Sequence, residues 1–138
     1  MAAFKVLRLL AILVVMFTAL VICAPTLDLH ERHKVRATPV MNVPAPGPGP
    51  RAIKSTQNVS WWCNACSSSD TVTIQIIKKG VSSPVFTTTG QNANSGSKDF
   101  FVDPAWASDG DAFTVKVTDD KNHASGTSSQ FTVFKTKE

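Results

Sequence analysis

The stretch Phe113–Val133 reads FTVKVTDDKNHASGTSSQFTV and decides the fold class. Two alternating segments, 113–117 and 131–133, flank a polar stretch at 118–130 that is rich in Asp, Asn, Ser and Gly. Successive side chains of a strand point to opposite faces of the sheet, so the apolar side chains of each segment share one face. The stretch therefore predicts a β-hairpin with one buried and one solvated face, at the end of a β-sandwich.

The same alternation recurs upstream at regular intervals, with turn residues between the segments. The strands that it predicts are 58–62, 71–78, 84–89, 97–102, 113–117 and 131–133, together with an edge strand near 52–56. Many short strands separated by turns predict an all-β protein, here an Ig-like or fibronectin-like β-sandwich of about seven strands. The predicted core comprises Val59, Trp61, Val72, Ile74, Ile76, Phe100 or Phe101, Val102, Phe113, Val115, Val117, Phe131 and Val133.

The first 53 residues have a different composition from the predicted sandwich. Lys5 and Arg8 precede the apolar run Leu9–Ile22, which is typical of a signal peptide that covers residues 1–23. A retained membrane anchor is the alternative, although the run is shorter than the ~20 apolar residues of a membrane span. Residues 24–53 contain many Pro and Gly residues and are predicted to be disordered, extended and flexible. The folded domain is expected to cover residues 54–138.

The charge balance excludes one class of partner. The full chain has a formal net charge of +4, but from Ser55 onward it carries 7 Lys against 8 acidic residues. A nucleic-acid-binding domain would concentrate basic side chains on its fold. We therefore expect no nucleic-acid partner, and no membrane contact once the signal peptide is cleaved.

Cys63 and Cys66 are spaced as C-x-x-C. In a reducing compartment this spacing would suggest a redox or metal site. Behind a signal peptide it favours a local disulfide instead. A zinc site needs about four ligands, and neither a second Cys pair nor a nearby His supplies them.

The sequence gives little support for catalysis. It contains no G-x-S-x-G nucleophile motif, and its three histidines lie in predicted flexible or turn segments, at His30, His33 and His123. Acidic residues cluster in the loops around Asp109 and Asp119, where they could bind calcium or simply form turns. We expect a protein that is not an enzyme, with no cofactor and no metal site.

Two other residues are candidate site residues. If Val59 and Trp61 face the core, Trp62 faces outward as a platform for a sugar ring or a protein partner, unless it packs under the loop closed by the cysteines. Asn58-Val59-Ser60 is an N-glycosylation sequon, so Asn58 is a candidate glycan acceptor.

The spacing of residues from Val59 to Val133 resembles the KRE/KNH-like domain of fungal cell-wall synthesis proteins and of Ser/Thr-rich, GPI-anchored fungal surface proteins. The most specific part is the order Gly-Ser, Val-Asp-Pro, Gly-Asp, Asp, Gly. The matching residues are Val59, Trp61, Val72, Ile74, Ile76, Gly96, Ser97, Phe101, Val102, Asp103, Pro104, Gly110, Asp111, Phe113, Val115, Val117, Asp119, Gly126, Ser128, Phe131 and Val133.

This resemblance implies an Ig-like sandwich in an extracellular or cell-wall location, with a link to β-1,6-glucan assembly or wall organisation. It implies no catalytic residues. The partner that it suggests is a cell-wall glucan or an extracellular protein. A secreted effector or adhesion-type protein that binds glycan or protein partners is the alternative function. No apolar GPI-anchor signal follows the predicted domain, which favours a freely secreted module.

Overall fold

The computed structural model describes residues 36–137, which form two β-sheets that enclose one hydrophobic core. No helix occurs among these residues, so the chain described is all-β, as the sequence predicts. The strands are β1 (Met41–Ala45), β2 (Gly49–Ala52), β3 (Thr56–Cys63), β4 (Thr71–Lys78), β5 (Phe86–Gln91), β6 (Ser95–Phe101), β7 (Ala112–Asp119), β8 (Ser125–Thr127) and β9 (Phe131–Phe134). Within 36–137, no helix is long and apolar enough to span a bilayer.

The two sheets differ in size. The smaller sheet has the order β1-β3-β6 and is antiparallel throughout. The larger sheet has the order β2-β9-β7-β4-β5, and β8 pairs with β7. Its one parallel pair is β2 with β9. The predicted signal peptide (1–23) and residues 24–35 lie outside the described residues.

The predicted core is confirmed. Every residue of the predicted list is buried, and of the two adjacent phenylalanines it is Phe100 that points inward, whereas Phe101 is exposed. Burial of each large apolar side chain contributes roughly 1.5–3 kcal/mol against chain entropy. The prediction missed the buried residues Met41, Val43, Ile53, Cys63, Cys66, Ala93 and Ala107.

The hairpin at 113–133 is confirmed, but its return strand is broken in two. Strands β8 and β9 both pair with the same edge of β7, and residues 128–130 between them leave the ladder. Ser128 bridges this break, because its main-chain N–H donates to the Val115 carbonyl (2.8 Å) and its Oγ accepts from the Val115 N–H (3.0 Å). The buried Ser128 hydroxyl thus replaces a missing backbone partner, as buried N–H groups require.

The prediction of a flexible segment at 24–53 is wrong for residues 41–52, which form β1 and β2. Strand β1 covers one edge of β3 with a register irregularity between Asn42 and Ala45, and Pro44 lies within that irregularity. Strand β2 lies at the edge of the larger sheet and includes Pro50. Proline is tolerated at edges and bulges because it need not donate a ladder hydrogen bond there. The compact unit accordingly begins at Arg36.

The separate edge strand predicted near 52–56 is also wrong. Strand β2 ends at Ala52 and β3 begins at Thr56, and between them the chain turns at Lys54, whose φ is 66°. With β1, β2 and β8 included, the described residues contain nine strands instead of about seven.

Gly126 lies in β8, where the two sheets approach each other closely. A Cβ built on this residue would lie 2.3 Å from the main-chain oxygen of Met41 in β1. No side chain fits in that space, and a main-chain atom cannot rotate away. The glycine therefore allows β8 of the larger sheet to approach β1 of the smaller one.

Candidate functional site

The smaller sheet presents one face to solvent. Alternation along β3 buries Val59, Trp61 and Cys63, and turns the residues between them outward. The outer face, as we call it, consists of Asn42 and Ala45 on β1, Thr56, Asn58, Ser60 and Trp62 on β3, and Ser95, Ser97, Asp99 and Phe101 on β6. Most of these side chains are short and polar, and two are large aromatics.

Trp62 lies at one end of the outer face, and 50% of its surface is exposed. Among the sequence-based alternatives for Trp62, the structure favours outward exposure over packing under the cysteine loop. Asn42 and Ser95 lie directly opposite Trp62 on the two flanking strands. Residues paired in this way have Cβ atoms about 4.5–5.5 Å apart, so an amide and a hydroxyl flank the indole.

Hydrogen bonds from the β5–β6 turn hold this end of β3. The Cys63 N–H donates to the Asn94 carbonyl (2.7 Å), and the Asn94 side-chain amide donates to the Cys63 carbonyl (3.0 Å). The buried indole of Trp61 donates to the Asn92 carbonyl at 3.0 Å. The sequence marks residues 90–96 as a turn, but it does not indicate that these two asparagines hold the end of β3.

The predicted disulfide between Cys63 and Cys66 is present, and both cysteines are buried. It closes the loop that follows Trp62. The Asn64 side chain within this loop accepts a hydrogen bond from the Val40 N–H at 2.9 Å. The loop is thereby connected to the segment that precedes β1, on the same side of β3 as Asn42.

Asn58 lies exposed in the middle of the outer face, as the position of the sequon predicts. Its Nδ2 donates to Asp99 Oδ1 at 2.8 Å, across the β3–β6 pair. Phe101 lies two residues beyond Asp99 and is 47% exposed. The outer face thus has an aromatic residue at each end and a sequon between them.

The acidic loop residues have separate partners. Asp111 accepts a 2.6 Å hydrogen bond from Lys78 Nζ, and this bond holds the pKa of Asp111 below its ordinary value. Asp120 accepts from the hydroxyls of Thr71 and Thr73 at 2.6 Å each. Across residues 36–137, no group of three or more His, Cys, Asp or Glu side chains is placed to hold a metal ion.

Asp119 is fully buried at the end of β7. Burial raises its pKa, but this effect is outweighed by hydrogen bonds that stabilise the charged carboxylate. The donors are the Asn122 side chain and the main-chain N–H groups of Lys121 and Asn122, and the charge of Lys121 adds to their effect. The pKa of Asp119 therefore lies below its ordinary value. His123 follows in the turn with a φ of 58°, and its N–H donates to the Asp119 carbonyl. These residues form the turn, whereas His30 and His33 lie outside the described residues.

A cavity of about 300 Å³ lies near the C-terminal end of β9. Ile53, Pro104 and Ala107 contribute its apolar wall, and Asp109 and Lys135 are among its polar lining. Asp109 accepts a hydrogen bond from the Lys135 N–H at 2.9 Å, so its carboxylate fixes the end of the last strand.

Comparison with known proteins adds no identification. No protein-family model matches this chain, and no curated protein matches it. The similarity to KRE/KNH-like domains therefore stays a prediction from the residue spacing.

Proposed function

We propose that this protein is a secreted, non-enzymatic β-sandwich module that binds a glycan of the fungal cell wall through the Trp62 end of its outer face. The observation that carries the proposal is the half-exposed indole of Trp62 at one end of the outer face, where the neighbouring side chains are short and polar.

The chemistry of this surface suits a sugar ring. One face of a pyranose presents C–H groups, which pack against the flat apolar face of an indole, and its hydroxyls need hydrogen-bond partners at the edge. Asn42 and Ser95, on the two sides of Trp62, offer an amide and a hydroxyl for that purpose. Short side chains at Ser60 and Ser97 leave the surface next to the indole open.

The platform is also preorganised. The strand that carries Trp62 is paired on both sides, and the bonds to Asn94 and the disulfide hold its end. A side chain on such a strand loses little conformational freedom when a ligand binds, which favours affinity.

The remaining parts of the proposal rest on the sequence. The signal-peptide pattern supports secretion, and the resemblance to KRE/KNH-like domains supports a wall location with a link to β-1,6-glucan assembly or wall organisation. The non-enzymatic assignment rests on the lack of a nucleophile motif in the chain.

The test is a pull-down of the secreted protein on insoluble β-1,6-glucan, β-1,3-glucan and chitin. We expect retention on a glucan, with at least a severalfold loss for Trp62→Ala. Phe134→Ala is the matched control, because Phe134 is an exposed aromatic (40%) on the other sheet, and it should bind like the wild type. Equal retention of all three proteins, or retention of none, would refute glycan binding at Trp62. Capture of a protein partner through Trp62 without glucan binding would favour an effector or adhesion role.

A further inference from the structure

We propose that Asn58 carries an N-linked glycan whose first sugar packs on the exposed ring of Phe101. This inference requires entry into the secretory pathway, but it does not require the Trp62 end of the outer face to bind anything. It concerns the opposite end of that face.

The fold leaves room for a glycan on the sequon Asn58-Val59-Ser60. Val59 is completely buried, so the alternation of β3 turns Asn58 and Ser60 to the solvent side of the sheet. Asn58 is exposed and lies in the middle of the strand. A glycan at this position projects away from the core and displaces no packed side chain.

Phe101 is placed to receive that glycan. Asn58 pairs with Asp99, and Phe101 lies two residues further along β6 on the same face. Diagonal neighbours of this kind lie about 7–8 Å apart, within reach of a sugar ring joined to the asparagine. Phe101 is 47% exposed among polar side chains, and a sugar that covered it would remove apolar surface from water.

The hydrogen bond between Asn58 and Asp99 supports this orientation. In the transfer step, Asn58 Nδ2 bonds to the anomeric carbon of a lipid-pyrophosphate-linked oligosaccharide. The bond from that carbon to the pyrophosphate oxygen breaks, the lipid pyrophosphate leaves with the electron pair, and one amide proton passes to the transferase. One N–H remains on Nδ2, so the glycosylated side chain keeps a donor for Asp99, and the bond seen at 2.8 Å would orient the linkage along β6 in the folded protein.

The glycan would leave Trp62 uncovered. Trp62 lies four residues from Asn58 along β3, in the direction opposite to Phe101, which corresponds to about 13 Å. The two ends of the outer face would thus have different roles. One aromatic would contact the protein's own glycan and the other an external ligand.

The experiment is a double-mutant cycle on the full chain secreted from a eukaryotic host. Mass spectrometry first establishes whether Asn58 is occupied. Ser60→Ala then removes the sequon but keeps Asn58 and its bond to Asp99, and thermal unfolding compares it with the glycosylated wild type. We expect loss of the glycan to lower the Tm by roughly 2–8 °C.

The specific readout is the dependence of that shift on Phe101. In a Phe101→Thr background, Ser60→Ala should lower the Tm by much less. In a Phe134→Thr background, with an exposed aromatic removed from the other sheet, the full shift should remain. An unoccupied Asn58, or the same Ser60→Ala shift in all three backgrounds, would overturn the proposal. Wild-type glucan binding does not enter any of these outcomes.

Discussion

Replacing Asp119 by Ala tests how the closing hairpin is held. The carboxylate is fully buried and accepts hydrogen bonds from the Lys121 N–H (3.0 Å) and from Asn122 Nδ2 (2.9 Å). Hydrogen bonds to charged groups contribute about 1.5–3 kcal/mol each, and the lower value applies here because water can reach the partly exposed Asn122 after truncation. The expected loss is therefore about 3 kcal/mol of unfolding free energy, or roughly 12–24 °C in Tm for a domain of this size.

The stabilisation should depend on pH with a defined sign. Folding lowers the pKa of Asp119 below its ordinary value of 3.8. The contribution is therefore complete above pH 3.8, where the carboxylate is charged in both states, and is lost as the pH falls through the lower folded-state pKa. The free-energy difference between wild type and Asp119→Ala should be constant near neutral pH and should narrow in acid.

The assay is urea unfolding followed by fluorescence at pH 7 and at several values below pH 4. Asp120→Ala is the control, because it removes the same charge from an exposed neighbour whose threonine partners can turn to water. Asp120→Ala should lower the free energy of unfolding by less than Asp119→Ala does. A loss below about 0.5 kcal/mol for Asp119→Ala at pH 7 would show that the buried hydrogen bonds do not hold the turn.

Two other perturbations test the sheet contacts and the cysteine loop. Gly126→Ala should prevent folding or lower the Tm by more than 10 °C, because an added Cβ would lie 2.3 Å from a main-chain oxygen. Expression and circular dichroism measure the effect, and near-wild-type stability would contradict the close approach of the two sheets. Reduction of the Cys63–Cys66 disulfide should leave the sandwich folded and lower its free energy of unfolding by no more than about 2 kcal/mol, because the closed loop is very short. Urea unfolding with and without reductant measures this loss, and global unfolding on reduction would contradict the prediction.

The strands that alternate clearly were predictable from the sequence. From Val72 to Ile76 in β4 and from Phe113 to Val117 in β7, every second side chain is apolar and completely buried or nearly so, and the pairing covers most of both strands. A one-residue slip would move these side chains into water, so the pattern fixes the face of each strand. The choice between Phe100 and Phe101 stayed open because both are apolar, and only the register of β6 against β3 decides it.

The strands of the proline-rich segment were not predictable in the same way. Neither β1 nor β2 has a strong local preference for a strand, and both contain proline. They form because one edge of β3 and one edge of β9 would otherwise present unpaired main-chain N–H and C=O groups. These edges exist only once the sheets have assembled, so the local sequence does not reveal them. Local sequence excludes a central strand there, but it does not exclude an edge strand.

The candidate site was predictable in part. Outward exposure of Trp62 follows from the burial of Val59 and Trp61, and the sequence offered it as one alternative. The flanking positions of Asn42 and Ser95, and the diagonal from Asn58 to Phe101, depend on pairing between distant segments. Sequence alone does not specify that register.

Glycan binding at the Trp62 end of the outer face can be followed in solution through the side-chain indole N–H signals of the protein. Trp61 is buried and donates its indole N–H to Asn92, and Trp106 packs against Phe113, so Trp62 alone among the three is half-exposed on the outer face. On titration with soluble β-1,6-glucan oligosaccharides, we expect a saturable shift of the Trp62 signal, with the Trp61 and Trp106 signals nearly unchanged. A titration in which the Trp62 signal does not move, or in which only the other two move, would contradict it.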